Sequence, residues 1–344
     1  MTAIAIAISG GVDSLVAAFL LKQQGHEVTG IHFRTGFEKT RDDATREIMA
    51  IARQLDIPVE ILDLAEVFRQ TVVAYFVASY QAGRTPNPCF FCNPAIKFGH
   101  ILAHVQRRGA EALATGHYAR VVTAPNGERH LHRGVDVHKD QSYFLALLTQ
   151  RQLRRARFPL GELTKQAVRA MAREHGLIPA VHEESQDICF IRKTSYADFL
   201  QQQEGFRARE GLIEDTRGRV LGRHQGLHHF TVGQRRGINC PAAEPYYVVA
   251  LDQGRNRLIV GHRRDLARRR GTVTDINWIN RPEHFPAEVA IQIRYRHRSA
   301  PARLTETSPT AAEFEFETAQ NAITPGQGAV FYRGDEVLGG GWIA

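Results

Sequence analysis

Ala3-Ile4-Ala5-Ile6-Ala7-Ile8-Ser9-Gly10-Gly11-Val12-Asp13-Ser14 is the stretch that decides the fold. Isoleucine alternates with alanine up to Ile8, which is the period of a strand, and the apolar run over residues 12–21 is that of a packed helix. Two glycines between them put a tight turn at the strand's carboxyl end. Ser9, Ser14 and the free N–H groups of the helix start then face an anion, and the helix dipole adds positive potential there. The turn reads as a phosphate cradle. A Walker loop is excluded, because that pattern needs four residues between its glycines and a lysine after the second, and no lysine follows Gly11.

The alternation continues outward from this turn. Residues 28–33 read as a second strand, 38–55 as a long amphipathic helix and 59–64 as a third strand, which together imply an α/β fold with a parallel sheet. Ligands of such sheets lie outside the carboxyl ends of the strands, which brings Phe33 to the rim of the cradle as cover for an adenine. After a helix over 66–80 comes Gly83-Arg84-Thr85-Pro86-Asn87-Pro88-Cys89-Phe90-Phe91-Cys92-Asn93-Pro94. Its prolines predict an irregular loop, with a helix starting near Ala95 whose N-terminus would favour thiolates at Cys89 and Cys92. Thr115-Gly116-His117-Tyr118 ends a strand, and Gly116 suits close backbone approach to a ligand. Residues 139–144 should open a helix, 163–175 form one, and 185–190 form an extended stretch carrying Cys189.

Beyond Gly205 the runs at 219–221, 227–232, 246–251 and 258–261 are short and glycine-divided, as in a β-rich unit. From Gly271, six runs at 271–278, 287–295, 300–305, 312–317, 329–333 and 336–342 have the spacing of a small barrel. Three units are therefore expected, at 1–204, 205–270 and 271–344, in line with the length of 344 residues. The net charge of +8 arises from 44 basic and 36 acidic residues, and after Lys193 every one of these basic residues is an arginine. Arginines crowd at 151–157, 235–236, 263–264, 268–270 and 294–298, which suits bidentate contacts with nucleic-acid phosphates. No segment approaches the roughly 18 apolar residues of a membrane span, and the chain enters its first strand without a charged leader, so a cytoplasmic protein with no membrane partner is expected. Four cysteines in a chain of this length point to metal or sulfur chemistry and away from a disulfide framework.

Ser-Gly-Gly-Val-Asp-Ser resembles the PP-loop of the ATP pyrophosphatases, which split ATP into AMP and pyrophosphate. Together with Gly83 to Pro88, Cys92-Asn93, Ile96-Lys97-Phe98, Thr115 to Tyr118, Lys139 to Leu145, Ile188-Cys189-Phe190, Thr231 to Gly237, Arg294-Tyr295-Arg296 and Thr324-Pro325-Gly326-Gln327, the chain resembles the tRNA-specific 2-thiouridylases, the MnmA or TrmU family. That resemblance implies an N-terminal PP-loop domain, a small central β domain and a C-terminal barrel that grips tRNA. It implies an ATP site at Ala7, Ile8, Ser9, Gly10, Gly11, Val12, Asp13, Ser14, Phe33 and Gly116, with magnesium expected but no ligand assigned to it. Contacts with the target base would fall on Asn87, Pro88 and Cys89. Contacts with tRNA would fall on His117, Lys139, Asp140, Gln141, Arg294, Tyr295 and Gln327. Cys92 would act on the base, and Cys189 would carry persulfide sulfur.

Two positions depart from the family pattern. Phe33 replaces a usual methionine, and Cys89 stands where many members have aspartate. Cys89, Cys92 and Cys189 resemble the three thiolates that hold a 4Fe-4S cluster in related PP-loop thiolation enzymes; a metal-free persulfide relay is the alternative, and zinc would also accept three thiolates. The implied reaction adenylates the C2 oxygen of the wobble uridine, releases pyrophosphate, and lets sulfur displace AMP. The implied partners are the tRNA anticodon loop and a sulfur donor: a persulfide carrier, a cysteine desulfurase or free sulfide. An amidating ligase acting on a small metabolite would share the ATP site but has no use for three spaced cysteines, and a non-catalytic RNA-binding protein would account for the arginines alone. Asp13 and the turn glycines are expected to serve adenylation and not folding. Cys240 has no assigned role.

Overall fold

A computed structural model describes residues 2–38, 41–181, 188–191 and 194–344, and the side chains of 41–44 are left aside. The first unit contains β1 (Ala3–Ala7), α1 (Val12–Gln23), β2 (Glu27–Arg34), α2 (Arg41–Leu55), β3 (Val59–Asp63), β4 (Ala112–Ala114), β5 (Ala119–Thr123), β6 (Arg129–Arg133) and β7 (Ala156–Arg157). Ile4 and Ile6 on one face of β1, continued by Ile8, pack with Leu15, Val16 and Leu21 of α1. Ala5 faces the opposite core, so the isoleucine–alanine alternation is the alternation of the two sheet faces.

Five strands form a parallel sheet in the order β3-β2-β1-β4-β7, with Ile6 opposite both Gly30 and Ala114. Strand order reverses at β1, whose neighbours lead away in opposite directions, and this opens a ligand crevice at its carboxyl end. The phosphate turn occupies that point. Gly11 caps α1 without a side-chain hydrogen bond, which leaves the helix-start N–H groups to a ligand.

The middle unit is a four-stranded sheet of β8 (Gly211–Asp215), β9 (Val220–His224), β10 (Tyr247–Asp252) and β11 (Arg257–Gly261), in the order β10-β11-β8-β9. Residues 227–232, expected as a strand, instead make a 3-10 turn at Leu227–His229 that buries Leu227 and His228. The last unit is a closed six-stranded barrel of β12 (Ala267–Trp278), β13 (Ala287–Gln292), β14 (Ala300–Ser308), β15 (Ala311–Asn321), β16 (Gly328–Arg333) and β17 (Glu336–Ile343), sealed where β12 pairs with β17. The β5–β6 hairpin, which no apolar pattern announced, extends this barrel's sheet by pairing Leu131 with Val337 and His132 with Glu336. No helix among the described residues is long and apolar enough to cross a membrane.

Candidate active site

The phosphate turn is held by its own serines. Ser14 Oγ donates to the Gly11 carbonyl at 3.0 Å, accepts from the Ser9 N–H at 3.2 Å and lies 3.3 Å from Ser9 Oγ. Gly10 has a φ of +91°, the left-handed region that favours glycine. Gly116 also has a steric reason: a Cβ there would lie 2.9 Å from the Asp13 carbonyl carbon and 3.0 Å from the Ser14 nitrogen. The close approach is therefore to the turn itself. Phe33, next to last in β2, is half-buried against the larger core.

Asp13 is less free than its position in the turn suggests. Both its oxygens accept from Lys165 Nζ at 2.7 Å, and Oδ1 also accepts from the Tyr118 hydroxyl at 2.7 Å. Lys165 is buried at the start of the helix Lys165–Glu174. Asp13 therefore neutralises a buried ammonium, a structural contact beside the part in adenylation expected of it.

The cysteine segment also departs from expectation. Residues 88–92 form a helical turn, Pro88–Cys92, capped by Asn87, whose Oδ1 accepts from the Phe90 N–H at 3.2 Å. Proline is well tolerated at a first helical position, so Pro88 starts this turn instead of preventing it. Phe90 is fully buried between Tyr143, at a ring separation of 5.4 Å, and Trp342, at 4.9 Å, while Phe91 stacks on Tyr75 at 4.5 Å. Asn93 donates to the carbonyls of Cys89, at 3.1 Å, and Phe144, at 3.2 Å.

The preceding loop is clamped from two sides. Thr85 N–H donates to the Pro325 carbonyl at 2.9 Å, and Gln327 Nε2 donates to the carbonyls of Thr85, at 2.9 Å, and Pro86, at 3.3 Å. The Thr85 hydroxyl meets that of Thr231, in the middle unit, at 3.3 Å. The middle and last units therefore both hold Thr85 and Pro86, immediately before Asn87, Pro88 and Cys89.

The thiols are not held as thiolates. Burial pushes the Cys92 thiol up to about 12; the Lys97 ammonium pulls it part-way back, and neighbouring Cys189 and Cys89 push it further. Cys89 has an exposed surface but lies recessed among surrounding atoms, and this desolvation raises its thiol too, again opposed by Lys97. A five-residue helix contributes little dipole against such desolvation. Cys189 is exposed, in a turn just beyond residues 182–187; the expected stretch from Ser185 to Asp187 lies outside the described residues. No group of three His, Cys, Asp or Glu side chains among the described residues is gathered closely enough to hold a metal ion. Cys89, Cys92 and Cys189 are thus not drawn together here as the three ligands that the expected 4Fe-4S cluster would need.

Lys97 connects the thiols to the ATP rim, although sequence reading gave it no role. Its Nζ lies 3.5 Å from His117 Nε2, and His117 Nδ1 meets the Thr115 hydroxyl at 2.6 Å. Burial, then the Lys97 charge, holds His117 well below the ordinary histidine range, so the ring is neutral at physiological pH. The only sequence signal for Lys97 was a single lysine between Ile96 and Phe98, both fully or nearly fully buried.

Family models match the chain from end to end. The tRNA methyl transferase HUP domain matches residues 2–193, the tRNA methyl transferase PRC-barrel domain 197–262, and the aminomethyltransferase beta-barrel domain 268–343. A tRNA-specific 2-thiouridylase MnmA of Desulfosudis oleivorans is 53% identical over 340 residues, covering 99% of this chain and 94% of its own. This chain belongs to the tRNA-specific 2-thiouridylase family. MnmA proteins of Syntrophotalea carbinolica, at 46% identity, and Acidithiobacillus ferrooxidans, at 47%, are likewise covered over 98% and 97% of their lengths, by 99% and 98% of this chain.

The residues expected to contact tRNA divide into two kinds. Asp140 is enclosed: its carboxylate accepts from the N–H groups of Gly134 and Ser142, at 3.0 and 3.1 Å, from Ser142 Oγ at 2.9 Å and from Arg133 at 3.1 Å. Gln141 Oε1 accepts from the Tyr118 N–H at 3.1 Å. Lys139, Arg294 and Tyr295 are half-exposed. Tyr295 packs 4.3 Å from the Phe144 ring, and its hydroxyl is pushed up by burial and by the Asp140 charge.

Proposed function

We propose that the protein is an ATP-dependent tRNA sulfurtransferase that replaces the C2 oxygen of the wobble uridine with sulfur. One observation carries this reading: a helical turn bearing Cys89 and Cys92 faces the Lys97 ammonium, which contacts His117, and the adjacent Gly116 packs against a PP-loop at the switch point of a parallel sheet. The family models are described by methyl transfer and the relatives by thiouridylation; paired thiols beside an ATP rim suit the second.

ATP would lie across Ser9 to Ser14, with Phe33 as apolar cover. Backbone N–H groups at the start of α1 stabilise the departing pyrophosphate, and magnesium would offset its charge as it arrives with the nucleotide. A uridine drawn out of a single-stranded anticodon loop, where unstacking costs little, would rest against Asn87, Pro88 and Cys89. Its C2 oxygen takes AMP. The terminal sulfur of a Cys189 persulfide then bonds to C2 as AMP leaves. Cys92 attacks the Cys189 sulfur, forming a Cys92–Cys189 disulfide and freeing the thiocarbonyl, while the proton lost by Cys92 ends on N3 of the base. A thiol reductant resets the pair and a persulfide donor then reloads Cys189, or sulfide attacks Cys189 Sγ of the disulfide directly, forming the Cys189 persulfide as the Cys92 thiolate leaves.

Release of pyrophosphate from ATP should require tRNA, and the tRNA recovered should contain 2-thiouridine. Release without tRNA would favour a small-molecule ligase, and tRNA binding without release a non-catalytic RNA-binding protein. Cys89→Asp is expected to retain thiolation, because Cys89 takes no part in the relay. Parallel loss of activity and of iron from anaerobically purified protein would instead assign Cys89 to a cluster. Arg294 is held by its own Nη1 bond to the Asn321 carbonyl at 3.2 Å and keeps its other donors for phosphate. Arg294→Ala should lower the slope of log affinity for tRNA against log salt by roughly one. An unchanged slope removes the phosphate contact.

A further inference from the structure

Arg133, the last residue of β6, was singled out by no sequence motif, yet its guanidinium is the junction between two of the segments assigned to tRNA. Nη1 donates to Asp140 Oδ2 at 3.1 Å and to Gln292 Oε1 at 3.4 Å, and Nη2 donates to Ser299 Oγ at 3.2 Å. Its Cζ lies 3.6 Å from the centre of the Tyr332 ring. The Tyr332 hydroxyl lies 3.2 Å from Ser142 Oγ, which itself donates to Asp140. Gln292, after accepting from Arg133, spends its own amide on the carbonyls of Arg294, at 3.2 Å, and Tyr295, at 2.7 Å.

A continuous chain therefore runs from the Lys139–Gln141 segment through Asp140, Arg133 and Gln292 to the Arg294–Tyr295 turn. Asp140 is 7% exposed and Arg133 20% exposed, so solvent offers little replacement for these bonds. A planar fork meets partners on the carboxylate, the amide and the hydroxyl at once; a lysine ammonium has no such fixed geometry.

We infer that Arg133 is a positioning residue for tRNA: it sets the spacing between the Lys139–Gln141 segment and the Arg294–Tyr295 turn, and with it the wall against which the anticodon loop is held beside Cys89. This rests on the tRNA reading above. Arg133 touches no reacting atom, and its effect is expected in kcat/KM for tRNA and not in the binding of ATP.

Arg133→Lys keeps a cation for Asp140 and loses the fork. Gln292→Leu keeps the Arg133–Asp140 pair and cuts the link to the turn. Each is expected to lower kcat/KM for tRNA on the order of 10- to 100-fold, as misplacement of a remote substrate does. ATP affinity, read by equilibrium binding without tRNA, should stay at the wild-type value, and the double variant should be no worse than the more impaired single one. A purely structural residue would lower the thermal midpoint while leaving kcat/KM of the folded fraction unchanged, and that outcome overturns the inference. So would strict additivity of the two substitutions. Should Arg133→Lys fail to fold, Gln292→Leu decides alone: wild-type kcat/KM for tRNA in the folded variant refutes the link. Wild-type protein run in parallel separates the two levels, because absence of tRNA-dependent pyrophosphate release there strikes the tRNA reading itself.

Discussion

With Cys92→Ser, formation of free 2-thiouridine is expected to fall by on the order of 10³-fold or more, while a single equivalent of pyrophosphate and AMP is still released for each persulfide-loaded enzyme. Adenylation takes place at the PP-loop and needs no thiol. The persulfide sulfur on Cys189 still reaches C2, but the sulfur–sulfur bond that then joins tRNA to Cys189 has no partner to cleave it. The tRNA should remain covalently attached on a denaturing gel run without reductant. Dithiothreitol should release it as thiolated tRNA. Turnover at the wild-type rate, or loss of the pyrophosphate burst, would contradict the division of labour between the two cysteines. Because burial pushes the Cys92 thiol up to about 12, the wild-type step needs the proton to leave as Cys92 attacks the Cys189 sulfur, and Lys97 is the cation placed to favour the resulting thiolate.

Asp13→Ala should abolish tRNA-dependent pyrophosphate release and also destabilise the first unit. The Lys165 ammonium, 9% exposed, would lose the carboxylate that it holds through two bonds of 2.7 Å. Breaking a fully buried pair costs about 3–5 kcal/mol; with the Asp13 side chain 34% exposed, about 2 kcal/mol is the expectation. The two effects separate in Asp13→Asn/Lys165→Met, which removes both charges at similar volume. Thermal stability should return towards wild type and pyrophosphate release should not. Recovery of both would make Asp13 a purely structural residue, and full stability of Asp13→Ala would deny the ion pair any weight.

The phosphate turn and the strands of the parallel sheet were legible because their signal is local: an apolar period of two, then two glycines. The barrel was legible for the same reason. Lys165, lying 152 residues along the chain from Asp13, has no local mark of its role. The Pro88–Cys92 turn was misread because prolines mark both a loop and the first turn of a helix, and only the Asn87 cap, seen in three dimensions, decides between them. The rise of the thiol pKa values was invisible for a different reason: sequence shows the helix start that would lower them but not the mass of protein that raises them. Asp140 and Arg133 belong to this second kind, since their meaning lies in who encloses them.

The β5–β6 hairpin gives the barrel a dependence that its closed outline conceals. Leu131 and Val337, each fully buried, form a seam two residues long between the first unit and the last, and His130 and Asn280 both bond Glu336 beside it, at 2.6 and 2.7 Å. The barrel is thus not an interchangeable module. A chimera that exchanges residues 268–343 between relatives would bring a foreign β17 against a resident β6, and compatibility would be decided at Leu131 and His130 before any tRNA is met. Successful recombination, in the laboratory or in descent, has to move the hairpin and the barrel as one heritable piece despite the long stretch of chain between them.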